Sequence, residues 1–307
     1  MISLILAKKI LSLFLILAMG VVLVKSKALK PEDSRILSTI CLYVIMPCVI
    51  LSSYQIEYSD EIRDGLLLAL GAAVLIHIGL LLINSVLGRV LKMDAVEKVS
   101  VIYSNAGNLI VPIVSSLLGK EWVIYSSAFV SVQQILIWSH GKMVLCGERK
   151  PEIRKILTNV NMISIVVGIT TFLVGFRFPA VIQDSLDTAA AMVGPASMIV
   201  TGMLIGGMQF KKVLGYRRVW LISAVRLLFY PLLGVAFLKF SGLSGLAANG
   251  ETILLISLLG MITPPASSVT QMSQVYGKDA DYASAICVVS TLLCIITMPI
   301  MVMLYQL

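Results

Sequence analysis

Long apolar runs alternate with short polar connections along the whole chain. Each run is close to the length of about 20 residues that a helix needs to cross the hydrocarbon core of a bilayer. We therefore predict ten membrane-spanning helices, numbered here as spans in chain order: residues 2–24, 36–54, 64–87, 98–118, 122–145, 160–178, 187–210, 217–239, 252–274 and 281–305. The first run also fits a cleaved signal peptide, because Lys8 and Lys9 lie at its start, but the internal repeat described below favours a span.

Composition supports a membrane protein. The 307 residues are 58% hydrophobic and only 13% charged, and the mean hydropathy is +0.97. Soluble domains carry about 25% charged residues. Because the polar connections are short, they leave no room for a separate soluble domain. We therefore predict an all-α integral membrane protein with one membrane domain.

The net charge of +8 follows membrane topology rather than a nucleic-acid site. If the N-terminus lies outside, sixteen of the 24 Lys and Arg residues fall on inner connections and six on outer ones. Positive residues concentrate on the cytoplasmic side of membrane proteins. We predict a multi-pass protein of the cytoplasmic (inner) membrane, with both termini extracytoplasmic and no nucleic-acid partner.

The second half of the chain repeats landmarks of the first. A glycine and two prolines recur 148 positions later, Gly20, Pro31 and Pro47 as Gly168, Pro179 and Pro195. The stretch GKEWVIYSSAFVSV from Gly119 also resembles GKDADYASAICVVS from Gly277. Because each copy holds an odd number of spans, the second copy must cross the membrane in the opposite sense. Inverted repeats of this kind are typical of secondary transporters.

The repeat predicts the organisation of the chain. Residues 1–145 form the first five-helix repeat, 146–159 a cytoplasmic linker and 160–307 the second, inverted five-helix repeat. The two repeats are expected to intertwine in one membrane domain. The alternative interpretation is a duplication that serves packing only and has no role in transport.

The fourth and ninth spans contain residues that interrupt helices. The fourth span holds YSNAGNLIVPIV (103–114) and the ninth holds GMITPPASSVTQ (260–271). Proline removes a backbone donor and glycine loosens the backbone, and the polar groups released by a broken helix must line a cavity or a neighbouring helix. Two breaks at matched positions of an inverted repeat therefore predict crossing helices and a substrate site.

The breaks have the chemistry of an anion site. The amino end of a half-helix offers free N–H groups and partial positive charge, and amide side chains donate hydrogen bonds to carboxylates. The candidate substrate-binding residues are Asn105, Gly107, Asn108, Pro112, Thr263, Pro264, Pro265, Ser267, Ser268 and Gln271. The competing interpretation is that the prolines only kink helices and the polar side chains bond to neighbouring helices.

Two ionisable residues inside spans join the candidate set. Arg226 in the eighth span is either an anion-attracting charge near the pathway or a snorkelling side chain. His77 lies at nearly the equivalent place in the third span, 149 positions earlier. It either carries a proton or serves as a neutral hydrogen-bonding partner.

The coupling ion stays open between Na⁺ and H⁺. Every Asp and Glu is expected in a connection or at a span end, which argues against coupling by a membrane-buried acid. A sodium ion would need neutral oxygens, such as those of Ser104, Asn105 and Ser131 and of backbone carbonyls at the breaks. The cysteines show no metal-ligand spacing, so neither a metal nor a cofactor is predicted.

Two of these motifs, SNAGNLIVP in the fourth span and TPPASSVTQMSQVYGKDADYAS from the ninth, resemble the auxin efflux carrier family. That family includes plant PIN carriers and bacterial permeases for small organic acids. The resemblance extends along essentially the whole chain. It implies the fold of the bile-acid:sodium symporters, in which a transport domain with crossing helices 4 and 9 moves against a scaffold domain.

The resemblance also places Asn105, Pro112 and the Pro264–Pro265 pair at the crossing and implies a homodimer. One feature departs from the family pattern. Plant carriers often have a long hydrophilic loop between spans five and six, whereas this connection is short. Regulation through that loop is therefore not expected here.

These observations predict a secondary transporter, not an enzyme. Its expected substrate is a small organic anion, such as a mono- or dicarboxylic acid or an auxin-like acid, moved by elevator-type alternating access. A ligand-gated channel or sensor is the alternative, since it could use the same breaks. An intramembrane enzyme is a weaker alternative, because it needs a nucleophile and base or a metal cluster at bilayer depth, and the chain has only two histidines.

Overall fold

The computed structural model describes residues 2–147, 154, 157–208 and 215–307, except the side chains of residues 2–10, 112, 116, 271, 274 and 275. In these residues every predicted apolar run forms helix. The helices are α1 (Ile2–Lys25), α2 (Pro31–Ser53), α3 (Asp60–Val90), α4 (Ala95–Ile102), α5 (Ala106–Leu117), α6 (123–146), α7 (Val160–Leu173), α8 (Ala180–Gly207), α9 (Arg217–Phe240), α10 (Gly250–Ile262), α11 (Ser267–Val275) and α12 (Ala280–Gln306).

Several helices are long and apolar enough to cross a membrane. Within the described residues five meet this criterion by length and composition, namely α2, α3, α8, α9 and α12. Shorter apolar helices accompany them, including α7 and α10. The fourth predicted span is divided into α4 and α5, and the ninth into α10 and α11.

Prolines widen two of the long helices. A π-helical turn at Cys41–Ile45 precedes Pro47 in α2, and another at Val225–Phe229 precedes Pro231 in α9. Proline lacks the N–H that would bond the carbonyl one turn back, and its ring crowds that carbonyl. A wider turn relieves the crowding. Arg226 lies in the second of these turns.

The helices pack in two groups. The four-helix group consists of α1, α2, α7 and α8, with α1 against α8 and α2 against both α7 and α8. The crossing group consists of α3–α6 and α9–α12, with α3 against α6 and α10, and α12 against α9 and α11. Each group takes helices from both predicted repeats. The buried apolar core therefore joins the two halves of the chain.

Small residues bring α1 and α8 into close contact. A methyl group at Gly202 would lie 1.9 Å from the Leu17 carbonyl oxygen, and one at Gly20 would lie 2.3 Å from the Ile199 carbonyl oxygen. Glycines at four-residue spacing let helix backbones approach in this way. The GMLIG stretch from Gly202 therefore packs within the fold.

Candidate functional site

The two breaks lie side by side in the crossing group. Residues 103–105 separate α4 from α5, and residues 263–266 separate α10 from α11. The Asn105 N–H donates to the Pro264 carbonyl oxygen at 2.7 Å, and the Ala266 N–H donates to the Tyr103 carbonyl oxygen at 3.0 Å. The two extended segments thus run antiparallel, and backbone groups released by one break are satisfied by the other.

Pro264 and Pro265 are compatible with the backbone pairing at this crossing. Ser104 and Pro265 face each other in an isolated antiparallel bridge. The hydrogen bonds on either side come from Asn105 and Ala266, so the bridge needs no donor from Pro264 or Pro265. The two prolines can end α10 without weakening the pairing, because only their carbonyl groups are available to it.

Arg226 joins the carboxyl ends of both half-helices that lead into the crossing. Its side chain is 0% exposed. The guanidinium donates to the carbonyl oxygens of Val101 (2.9 Å), Ile102 (3.3 Å), Met261 (2.7 Å) and, from two nitrogens, Thr263 (2.8 and 3.0 Å). These carbonyls carry the partial negative charge of the ends of α4 and α10. The side chain therefore does not snorkel, and its charge is bound to protein oxygens.

Gln133 on α6 holds the backbone of the fourth-span break. Its Oε1 accepts hydrogen bonds from the Ser104 N–H at 3.0 Å and the Ser104 hydroxyl at 2.5 Å. Its Nε2 donates to the Ser104 carbonyl oxygen at 2.7 Å. Sequence reasoning missed this residue, although an uncharged amide in an apolar span carries the same signal as Asn105 and Asn108.

The amino ends of α5 and α11 meet beside the bridge. The Asn108 Nδ2 donates to the Ser267 hydroxyl oxygen at 3.2 Å. Asn105 is 5% exposed and precedes the first residue of α5, and Ser268 is half-buried in the first turn of α11. The structure therefore brings uncharged polar side chains from both breaks to two positively polarised helix ends.

Other candidates from the breaks have different surroundings. A methyl group at Gly107 would lie 2.7 Å from Met46 Cε, so α5 approaches α2 of the four-helix group at this glycine. Thr263 is buried and its hydroxyl donates to the Gly260 carbonyl oxygen at 3.2 Å. Pro112 lies inside α5, two turns beyond the break, so it does not form the break itself. The side chains of Pro112 and Gln271 lie outside the described residues.

His77 and Ser131 bond within their own helices. The His77 Nδ1 lies 2.7 Å from the Ala73 carbonyl oxygen, and its ring packs on Phe129 with centroids 4.9 Å apart. The Ser131 hydroxyl donates to the Ser127 carbonyl oxygen at 2.7 Å. Among the hydrogen bonds of the described residues, none joins Ser131 to the bridge, whereas His77 interacts with Gln133, which binds Ser104.

A cavity of about 640 Å³ lies between the two helix groups. α1, α2 and α8 line it from the four-helix group, and α5 with the turn before α6 lines it from the crossing group. Val111 and Ser115 are its lining residues on α5, and Asn108 lies on the same helix face, one turn closer to the bridge. The cavity therefore leads toward the amino end of α5, from the side predicted to be outside.

Asp187 lies further inside its helix than predicted, whereas Glu97 lies at a span end as expected but is buried by protein. Asp187 was expected at the start of the seventh span, but α8 begins at Ala180, so this carboxylate lies two turns inside the helix and lines the cavity. Glu97 in the first turn of α4 is 1% exposed. It accepts hydrogen bonds from Arg218 on α9 (2.5 and 2.8 Å) and Tyr282 on α12 (2.6 Å). This cluster ties three helix ends of the crossing group together.

Comparison with known families agrees with this architecture. The profile of a family described as "Membrane transport protein" matches residues 5–153 and again residues 150–302. The two matches cover nearly the whole chain and confirm its resemblance to the auxin efflux carriers and the presence of two repeats. A comparison with curated protein sequences found no match. The family is one of transporters rather than enzymes, so this chain is a multi-pass membrane transporter. The chain belongs to the membrane transport protein family.

Proposed function

We propose that this protein is a secondary transporter that moves a small organic anion with a carboxylate group by elevator-type alternating access. Mono- and dicarboxylic acids and auxin-like acids form the proposed substrate class. The proposed location is the cytoplasmic membrane, with both termini outside, as the distribution of Lys and Arg indicates.

The electrostatic asymmetry of the crossing is the observation that carries this proposal. Arg226 neutralises the carboxyl ends of α4 and α10. The amino ends of α5 and α11 carry Asn105, Asn108, Ser267 and Ser268, all of which are uncharged. The crossing therefore offers N–H groups, amides and hydroxyls at two positively polarised helix ends, which suit an anion.

The division into two helix groups supports alternating access. The crossing group contains both breaks, and its contacts with the four-helix group include small and flexible side chains. The Ser127 hydroxyl donates to the Ser53 hydroxyl at 2.7 Å, and Gly107 faces Met46. The antiparallel bridge at the crossing also supports the inverted relation of the two repeats, because the two broken spans run in opposite directions there. In the proposed cycle the crossing group moves against the four-helix group.

Na⁺ and H⁺ are both retained as proposed coupling ions. Ser104 and Asn105 lie together at the crossing, and their oxygens with those of Ser131 form the proposed sodium ligand set. In this structure the hydroxyls of Ser104 and Ser131 donate to protein oxygens, which leaves their own lone pairs as acceptors. A homodimer, in which the four-helix groups stay fixed in the lipid bilayer, is the proposed assembly.

Thermal stabilisation of the purified protein by ligands tests the substrate class. A panel of small carboxylates, amines and neutral solutes is compared with and without sodium at two pH values. We expect at least one carboxylate to raise the melting temperature of the wild type, because a ligand that binds only the folded state stabilises it. Asn105→Ala should lose the shift, and Asn249→Gly, which removes an exposed amide at a positive φ of 58°, should retain it. Stabilisation by amines or neutral solutes alone would refute the anion assignment.

Counterflow in proteoliposomes tests the transport mode. A carrier should take up a labelled acid with saturation and should be accelerated by unlabelled acid on the opposite side. A channel would conduct without saturation or trans-stimulation, and that result would replace the carrier proposal with the channel alternative.

A further inference from the structure

A lysine and a carboxylate face each other across the cavity between the two helix groups. Lys120 Nζ, in the turn before α6, lies 3.7 Å from Asp187 Oδ2 on α8. The Lys120 side chain is 81% exposed and that of Asp187 is 33% exposed. Among the ion pairs of the described residues, this one joins the crossing group to the four-helix group.

Asp187 does not depend on Lys120 for hydrogen bonds. Its Oδ1 accepts from the Ser52 hydroxyl and from Gln183 Nε2, the latter at 3.0 Å. Both donors belong to the four-helix group, so they keep the carboxylate satisfied when the crossing group moves. The contact with Lys120 is long and exposed, and such pairs contribute little to stability. The lysine is therefore free to exchange its partner.

The third charged residue of the cavity does not compete for the lysine. Glu121 lines the cavity beside Lys120. Its carboxylate folds back over its own turn, where a methyl group at Gly119 would lie 2.4 Å from Glu121 Oε1. Asp187 is therefore the carboxylate that pairs with Lys120 across the cavity. An incoming anion would bind Lys120 at the place that the Asp187 carboxylate now takes.

We propose that Lys120 is an outer subsite that binds the carboxylate of the substrate before it reaches the crossing, and that the substrate displaces Asp187 as the partner of Lys120. This inference rests on the proposed function. The subsite lies in the same cavity as Val111 and Ser115, which lead along α5 to Asn108. Displacement of Asp187 also removes an ionic link between the two helix groups. Arrival of substrate thereby favours movement of the crossing group.

Initial rates of external carboxylate uptake into proteoliposomes test the subsite. Lys120→Gln should raise KM about fivefold, the scale of one exposed charge contact, and leave the rate at saturation unchanged. Lys120→Arg should keep the wild-type KM because it keeps the charge. Asp187→Asn should lower KM, since the competing carboxylate is gone, and it should have no effect on KM in a Lys120→Gln background. Lys239→Gln, an exposed lysine at the end of α9, is the matched control and should behave as wild type.

The outcomes separate this inference from the proposed function. A wild-type KM in Lys120→Gln would refute the subsite while leaving carboxylate transport established. A rise of KM in Asp187→Asn would refute the exchange, because the carboxylate would then assist binding. If the wild type takes up no carboxylate at all, the proposed function itself fails. A change in melting temperature for Lys120→Gln but not for Lys120→Arg, without a change in KM, would reduce Lys120 to a structural tie.

Discussion

Arg226 shows how a charge can be stable in the interior of a membrane protein. All of its N–H groups point at the carbonyl oxygens that the two breaks leave without intrahelical donors. A planar guanidinium carries five N–H donors spread over three nitrogens, so it can reach both helix ends at once, whereas a lysine has three donors on a single nitrogen. Arg226 therefore holds the two ends of the crossing together, and in the proposed mechanism it would act on an anion through its charge rather than by contact.

We predict that Arg226→Met lowers the melting temperature and abolishes carboxylate uptake. Each buried carbonyl that loses its partner costs about 1–3 kcal/mol. Arg226→Lys should retain part of the stability, because it keeps the charge but cannot reach both helix ends. Arg177→Met, at an exposed arginine, is the control for the loss of one charge. A folded Arg226→Met protein with wild-type melting but no carboxylate binding would instead indicate direct contact with the substrate.

Gln133 gives a second prediction at the residue scale. Gln133→Leu removes hydrogen bonds from the N–H, the hydroxyl and the carbonyl of Ser104, so the fourth-span break loses its fixed shape. We expect uptake to fall at least tenfold, since a shift of about 1 Å in a binding group has effects of this size. Gln134→Leu is the matched control on the neighbouring position. Equal uptake by the two variants would show that Ser104 does not need this amide.

At the scale of helices, the breaks depend on pairing as much as on helix-breaking residues. Pro264 and Pro265 stop α10, but the bridge at Ser104 satisfies the exposed backbone groups. By contrast, α5 continues through Pro112, and in the described part of the chain the isolated backbone bridge lies at Ser104, before this helix begins. Proline alone therefore did not locate the fourth-span break, and the position of the opposing strand-like segment did.

Close packing of α1 on α8 gives a prediction for a single methyl group. Gly202→Ala should lower the melting temperature, because the added Cβ would lie 1.9 Å from the Leu17 carbonyl oxygen and the helices would have to separate. Gly79→Ala is the matched control, since the same change in α3 meets no atom within 4 Å and removes a flexible residue from a helix. The melting temperature of Gly79→Ala should stay the same or rise. Equal losses in both variants would contradict the close contact.

At the scale of the whole molecule, the proposed cycle requires the two helix groups to move against each other. Ser53 and Ser127 lie on opposite sides of their interface, with hydroxyl oxygens 2.7 Å apart. In a background without native cysteines, a Ser53→Cys/Ser127→Cys disulfide should stop uptake, and reduction should restore it. The control is Ser223→Cys/Ser290→Cys, because the hydroxyl oxygens of these two serines lie 2.9 Å apart and both residues belong to the crossing group.

The control disulfide should leave uptake unchanged, because both of its helices move together. Uptake that continues after complete oxidation of the Ser53–Ser127 pair would contradict relative movement at this interface. Loss of uptake with both disulfides would point to internal motion of the crossing group instead.

Much of the fold follows from local properties of the chain. Each apolar run forms helix in the described residues, as one helix or, in the fourth and ninth spans, as two. The reason is local, because burial in lipid and the need to satisfy every backbone group act on each segment separately. Residues that disfavour helix mark the neighbourhood of both breaks, since Asn105 lies in the first break and Pro264 and Pro265 lie in the second. Gly107, Asn108 and Pro112 lie within α5, so local chemistry alone does not fix where the fourth-span break falls. The repeat and the uncharged polar residues of the breaks could also be recognised from the sequence.

The partners of these residues were decided by the tertiary structure alone. The charge of Arg226 inside an apolar span is evident from the sequence, but only the fold brings the ends of α4 and α10 to its side chain. Gln133, Lys120 and Asp187 acquire their roles because the packing of α6 and α8 places them beside Ser104 or across the cavity. Such contacts join residues far apart in the chain, and no local pattern encodes which of many buried polar groups will satisfy which other.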